Sequence, residues 1–183
     1  MTHLRAGRRR ALAAGLGLAL AGAARSAPSE KPTYVVRPWD ASRPAPELDL
    51  ADLDGRRHRL PAFADRVVLL NFWATWCEPC RAEMPSLESL ALREIGNGLV
   101  VLAVNYKEGA EKIRGFLKAS PFRPPILLDT DGDCAISWTP KVFPTTVVVA
   151  RGTRPVASVV GDLDWTGPVA RSLVDPLLAR RHG

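Results

Sequence analysis

One junction constrains this chain more than any other feature. The apolar run RVVLLNFW ends at Trp73 and passes directly into WATWCEPCRAEMP, which holds two of the three cysteines, Cys77 and Cys80. A near-continuous apolar run of this length reads as a strand buried on both faces, so the fold must place a layer on each side of a central sheet. The segment that follows predicts a helix from near Cys77 through SLESLALREI to about Gly96. The cysteine pair therefore falls where a buried strand hands over to a helix, with Pro85 expected to kink that helix and leave the pair on a short leading segment.

The rest of the chain repeats this alternation. LDLADLDGRRHRLPAF reads as a β-hairpin turning at Asp54-Gly55. GLVVLAVNY predicts a second buried strand, GAEKIRGFLKAS an amphipathic helix with Ile113, Phe116 and Leu117 on one face, and RPPILLDT a short strand. DGDCAISW reads as a short helix or turn, TTVVVARGTRPVASVVG as a hairpin turning at Arg151-Gly152, and WTGPVARSLVDPLLARR as a closing helix. Pro168 suits that helix's first turn, and Pro176 predicts a kink or a second short helix. The order β-α-β-α-β-β-α specifies an α/β layered fold with a mixed sheet.

The formal charge of +6 is unevenly spread. Residues 1–27 hold five of the 25 Lys and Arg and no acid, which leaves 20 basic against 19 acidic residues in the remainder. The excess belongs to the leader, so no nucleic-acid-binding face is expected. That leader, GRRRALAAGLGLALAGAARSA, has a basic start, a short apolar stretch (Ala11–Ala24) and small residues at Ala21–Ala27, the pattern of a bacterial secretory signal. The apolar stretch is shorter than the roughly 20 residues of a spanning helix, and a retained membrane anchor is the alternative. The expected organisation is a signal peptide at 1–27, an exposed N-terminal arm at 28–45 that is partly extended at TYVV, and one domain at 46–183. Once the signal is removed, the protein is expected in the periplasm or another extracytoplasmic space, where disulfides can form.

Two cysteines separated by two residues can clamp a metal, staple a loop, or pass electrons. A helix N-terminus favours the thiolate, the form that attacks disulfides. Cys77 stands at that terminus and is expected to be partly exposed. Cys80, one turn further in, can attack a mixed disulfide on Cys77 and release the partner. Pro79 suits a first helical turn, where no N–H is needed. A zinc site needs two more ligands; Cys134 is alone, His3 and His182 lie near the two ends, and His58 sits in a polar RRHR turn expected to be solvated. A structural staple gains little chain entropy from so small a loop.

NFWATWCEPCRAEMP, followed by VFPTTVVV, resembles the thioredoxin fold, and within it the TlpA/ResA-like group of exported bacterial thiol-disulfide oxidoreductases. The resemblance spans roughly residues 45–180, from the LDLADLDG hairpin, an N-terminal extension to the fold, through the closing GDLDW-helix. It implies Cys77 as nucleophile and Cys80 as resolving thiol, with no cofactor and no metal. Phe143-Pro144-Thr145 is similar to the family's cis-proline loop, whose backbone lines the partner groove; relatives often carry Leu where Phe143 stands. Glu83 matches a Cys-x-x-Glu spacing in which the acid lies in the active-site cavity. A carboxylate there raises the thiol pKa and can move protons. Asn71 stands where ordinary thioredoxins have a buried Asp. Glu78 and Pro79, between the cysteines, tune the potential and face the partner. Trp76 is expected on the docking face, Trp73 in the core, and Trp138 either in the groove or in the core. Cys134 reads as a small core residue.

The function this implies is reduction of disulfides in partner proteins, such as apocytochrome c or the copper-site cysteines of respiratory oxidase, by a monomer fed from a membrane thiol-transfer electron donor. The alternatives are a Cu(I)-binding metallochaperone using the same cysteines, for which Met84 is the one nearby extra ligand, and a disulfide-donating oxidant. A peroxide-reducing enzyme on the same fold would carry Thr or Ser three residues before the attacking cysteine, where this chain has Ala74.

Overall fold

The computed structural model describes Thr2 and residues 33–179; the leader lies outside the described residues. The elements follow in the order β1 (Tyr34–Pro38), β2 (Asp49–Ala51), β3 (Arg57–Arg59), β4 (Val67–Trp73), α1 (Glu78–Glu94), β5 (Leu99–Tyr106), α2 (Ala110–Ala119), β6 (Ile126–Asp129), α3 (Asp133–Trp138), β7 (Thr145–Ala150), β8 (Arg154–Gly161) and α4 (Pro168–Ala179). Six strands form one sheet in the order β1-β8-β7-β4-β5-β6. β4, β5 and β6 run parallel, while β7, β8 and β1 are joined by antiparallel pairings. The expected mixed sheet and its flanking helices are all present.

Why β4 reads as an unbroken apolar run is visible in its alternation. Successive residues of a strand face opposite sides of the sheet. Val67, Leu69 and Trp73 join one buried cluster with Met84, Leu87 and Leu90 of α1, Ile113 of α2 and Val174 of α4. Val68, Leu70 and Phe72 join the other, with Leu48 and Leu60 of the hairpin region and Cys134, Ala135 and Trp138 of α3. Asn71 is the single polar residue of the strand, and its register places it on the α1 face.

The β2–β3 hairpin forms a separate two-stranded sheet, tied to the main one by a bridge between Asp52 and Leu127. Its turn depends on Gly55, whose φ of 80° is left-handed, and on Asp52, whose Oδ1 accepts from the backbone N–H of Asp54 and Arg56, both at 2.9 Å. His58 is not the solvated tip expected from RRHR. Its Nε2 lies 2.8 Å from Asp52 Oδ2 and its ring stacks on Phe63, because residue 58 faces inward on a three-residue strand.

The N-terminal arm also differs from the reading as a segment outside the domain. Residues 34–38 pair along β8 as the edge strand of the main sheet, although their side chains stay largely exposed. The extended conformation at TYVV is as expected; its pairing leaves no mark in the sequence, because an edge strand gains its place through backbone hydrogen bonds rather than buried side chains. Where β1 meets the end of β8, Gly161 has a φ of 99° and donates its N–H to Pro144 O at 2.9 Å. A Cβ at Gly161 would fall 2.1 Å from Thr33 O.

α1 and α4 each continue through their internal prolines. α1 is one helix from Glu78 to Glu94 despite Pro85, and α4 one helix despite Pro176, so no second short helix forms. Among the described residues no helix is long and apolar enough to cross a membrane.

Candidate active site

β4 ends at Trp73, and a tight turn follows in which Cys77 N–H donates to Ala74 O at 3.2 Å. This turn places Cys77 as the N-cap of α1, with extended backbone (φ −84°, ψ 103°) and its Sγ accepting from Cys80 N–H at 3.3 Å. Glu78 and Pro79 occupy the first turn, where proline's missing N–H costs nothing. Cys77 and Cys80 are joined as a disulfide, with Cα atoms 5.3 Å apart.

The expectation of a partly exposed Cys77 is corrected here: in this oxidised form it is 5% exposed and Cys80 1%. Cys77's side chain turns back along the helix toward Cys80, into the cluster formed by Trp73, Ala74 and Met84. The exposed groups at this end are Trp76, 61% accessible, together with Glu78 and Pro79.

The Phe143–Pro144 peptide is cis. Phe143 meets the Trp76 ring edge-on at 6.2 Å and the Tyr106 ring at 5.0 Å, which joins the proline loop to the cysteine turn through aromatic contacts. Thr145, expected on the loop whose backbone lines the partner groove, turns its side chain inward. It is fully buried and its Oγ1 donates to Val142 O at 2.6 Å, because residue 145 already belongs to β7, paired on both sides. Trp73 and Trp138 are both core residues, and Trp138 Nε1 donates to Glu47 O at 3.1 Å. Cys134 is buried, and burial followed by the nearby charge of Asp129 pushes its thiol up to about 12.

Glu83, one turn beyond Cys80 on α1, is 4% exposed. Its Oε1 accepts from Asn71 Nδ2 at 2.6 Å, and its Oε2 accepts from Leu163 N–H and Trp165 Nε1, both at 3.3 Å. No cation is among these partners. Burial pushes its carboxyl up to about 7, against the downward pull of the hydrogen bonds from Leu163, Asn71 and Trp165; the charge of Asp162 adds to the rise. Asn71 spends its second amide hydrogen on Thr146 Oγ1 at 3.0 Å.

A second buried carboxylate escaped sequence reasoning. Glu108, 5% exposed, lies just after β5. It accepts from Thr75 N–H at 2.7 Å, Thr75 Oγ1 at 2.6 Å and Asn105 Nδ2 at 2.9 Å, with Lys112 Nζ at 2.7 Å. Burial acts to raise its carboxyl, but the hydrogen bonds from Lys112, Thr75 and Asn105 outweigh this and hold it below the usual glutamate value. The Lys112 spacing, four residues on at the start of α2, was its one visible signal. Tyr106, Leu163 and Trp165 were missed for a related reason: each reaches the site from a distant element.

Comparison with known proteins agrees with this architecture. The AhpC/TSA family model matches residues 41–153. The chain is 32% identical over 119 residues to the thiol-disulfide oxidoreductase ResA of Geobacillus thermodenitrificans, which covers 65% of this chain and 68% of that protein. It is 31% identical over 152 residues to the thiol:disulfide interchange protein HelX of Rhodobacter capsulatus, covering 82% and 76%. The crystal structure of a secreted thiol-disulfide isomerase from Corynebacterium glutamicum superposes with a TM-score of 0.70 over 85% of this chain and 96% of that one; at 23% identity it shows the shared fold. The chain therefore belongs to the AhpC/TSA family, and its redox pair Cys77–Cys80 makes it a thiol-disulfide oxidoreductase of the ResA and HelX type.

Proposed function

We propose that this protein reduces disulfides in partner proteins outside the cytoplasm. Cys77, as thiolate, attacks one sulfur of the partner disulfide and forms a mixed disulfide as the partner's other sulfur leaves. Cys80 then attacks Cys77 Sγ, which closes the Cys77–Cys80 disulfide and frees the reduced partner. Two electrons pass to the partner, and a membrane thiol-transfer donor returns them. The chemistry needs no cofactor beyond the two cysteines.

The observation that carries the direction is Glu83. A buried carboxyl one helical turn from Cys80, with no cation among its partners in the described residues, disfavours thiolate at the pair by like-charge repulsion when ionised. Strong oxidants of this kind are oxidants because their reduced form is stabilised. Withholding that stabilisation lowers the potential and favours electron donation. A carboxyl pushed up to about 7 can also take the Cys80 proton as that thiol becomes the attacking group.

Trp76, Phe143 and the Pro144 backbone form the face on which a partner's extended segment would rest, flanked by Glu78 and Pro79. The basic leader supports export, and the haem-binding cysteines of apocytochrome c and the copper-site cysteines of respiratory oxidase are the substrate classes we assign. Equilibration against thiol-disulfide buffers tests the direction. We expect a potential near or below thioredoxin's, about −270 mV, and Glu83→Gln should raise it; a value near that of the strong oxidants, about −120 mV, would reverse the assignment.

A further inference from the structure

We infer that Glu108 is a positioning residue for the attacking cysteine, acting through Thr75. The turn from Ala74 to Cys77 is closed by the Cys77 N–H to Ala74 O bond. Thr75 occupies the second position of that turn, where the amide points away from the closing bond and cannot be satisfied inside the turn. Glu108 takes it: one carboxylate oxygen receives the Thr75 amide and the other receives the Thr75 hydroxyl, at 2.7 and 2.6 Å. A two-point hold fixes both the place and the rotation of Thr75, and with it the peptide leading to Trp76.

The hold is itself braced. Asn105, paired with Trp73 in the sheet register, donates to the same carboxylate oxygen as the Thr75 amide. Lys112 closes from α2 at 2.7 Å and keeps the group ionised. The consequence at the reacting atom is geometric. Cys77 Sγ accepts from Cys80 N–H only while Cys77 sits as the helix N-cap, and that placement depends on the turn that Thr75 anchors. The same turn presents Trp76 edge-on to Phe143. Glu83 lies on α1, among Asn71, Leu163 and Trp165, and has no share in this hold. The two carboxylates therefore serve the pair by different routes.

The inference rests on Cys77 as the attacking sulfur. The test follows Cys77 alkylation by iodoacetamide against pH in the reduced protein, together with the rate of exchange with glutathione disulfide and the melting temperature. Misplacing the turn should cost about tenfold in the exchange rate measured at full thiolate formation for Glu108→Gln, and about threefold for Thr75→Val, which keeps the charge and removes only the hydroxyl contact. Both should raise the midpoint of the Cys77 profile, since the Cys80 N–H no longer steadies the thiolate. The double variant should be no slower than Glu108→Gln, Thr75→Ser should recover most of what Thr75→Val loses, and Glu111→Gln, three residues on, should change nothing. A lowered melting temperature with exchange within twofold of wild type would overturn the inference, leaving Glu108 a purely structural group. A downward midpoint shift in Glu108→Gln alone would also overturn it, because the carboxylate would then act by charge. If wild-type protein itself shows no exchange through Cys77, the reading beneath the inference fails, and this inference with it. Should Glu108→Gln not fold, Thr75→Val with its Ser rescue decides the question.

Discussion

Glu83 and Glu108 are both glutamates with almost no exposed surface, yet they are driven in opposite directions. Both carboxylates accept three or more hydrogen bonds. What separates them is the company of a cation and the depth of the site. Glu83 is surrounded by neutral donors fixed in the core, so desolvation wins and its proton is held up to about 7. Glu108 lies where α2 begins, and Lys112, whose side chain is 60% exposed, reaches it from the surface. Desolvation there is outweighed, and the group stays ionised. A count of hydrogen bonds would have ranked them nearly alike; the weight of desolvation and the presence of one counter-charge together decide which can carry a proton and which can only anchor.

The comparison can be broken most sharply by pH. Glu83 is raised from 4.5 to about 7, so the native state keeps a proton that the unfolded chain has released across that window, and stability should fall as pH rises through it. Glu83→Gln removes the ionisation cost. Its stability relative to wild type should therefore improve between pH 4 and pH 8 by on the order of 3 kcal/mol, at about 1.4 kcal/mol per unit. Denaturant titrations at the two pH values measure this, and a flat difference would show that Glu83 titrates like any surface acid.

Glu108 should behave with the opposite sign. Its carboxyl is depressed, so its contribution is present above the unfolded value of 4.5 and is lost as pH falls through the folded one. Glu108→Gln should cost about 2 kcal/mol at pH 7, the cost of leaving buried donors on Thr75 and Asn105 poorly paired, and the deficit should shrink below pH 4. An undiminished deficit at low pH would mean that packing rather than charge holds the site.

The smallest effect sharpens the role of the cation. Lys112→Ala should destabilise by less than about 1 kcal/mol, since the lysine is largely solvated. It should nonetheless move the Glu108 carboxyl upward, toward Glu83's behaviour, which carbon-13 NMR of the carboxylates would resolve. No movement would assign the difference between the two sites to depth alone.

Much of this was readable from residues because the signals were local. The near-continuous apolar run Val67–Trp73 marked the central strand, the strand-to-helix handover placed the cysteine pair at a helix N-terminus, and helical spacing put Glu83 one turn from Cys80. Local reading also has a horizon. It read TYVV as extended but not as paired, since nothing in TYVVRP announces a partner about 120 residues away in β8. It missed Glu108 because the hold on Thr75 joins residues 33 positions apart, across two parallel strands. It misjudged the exposure of Cys77 because burial of a side chain at a helix start depends on which way the flanking turn points it. The unread part is the set of long-range polar contacts, which leave no periodic trace in sequence.

Gly161 has a consequence for how this protein tolerates change. Its amide serves the proline loop, its bare Cα face is covered by the Thr33–Tyr34 backbone, and two residues later the chain delivers Leu163 N–H to Glu83. In a saturation-mutagenesis map scored for function, most positions near the cysteines should show graded tolerance. Position 161 should be all-or-nothing, because any side chain would part the edge strand, the proline loop and the Glu83 donors together.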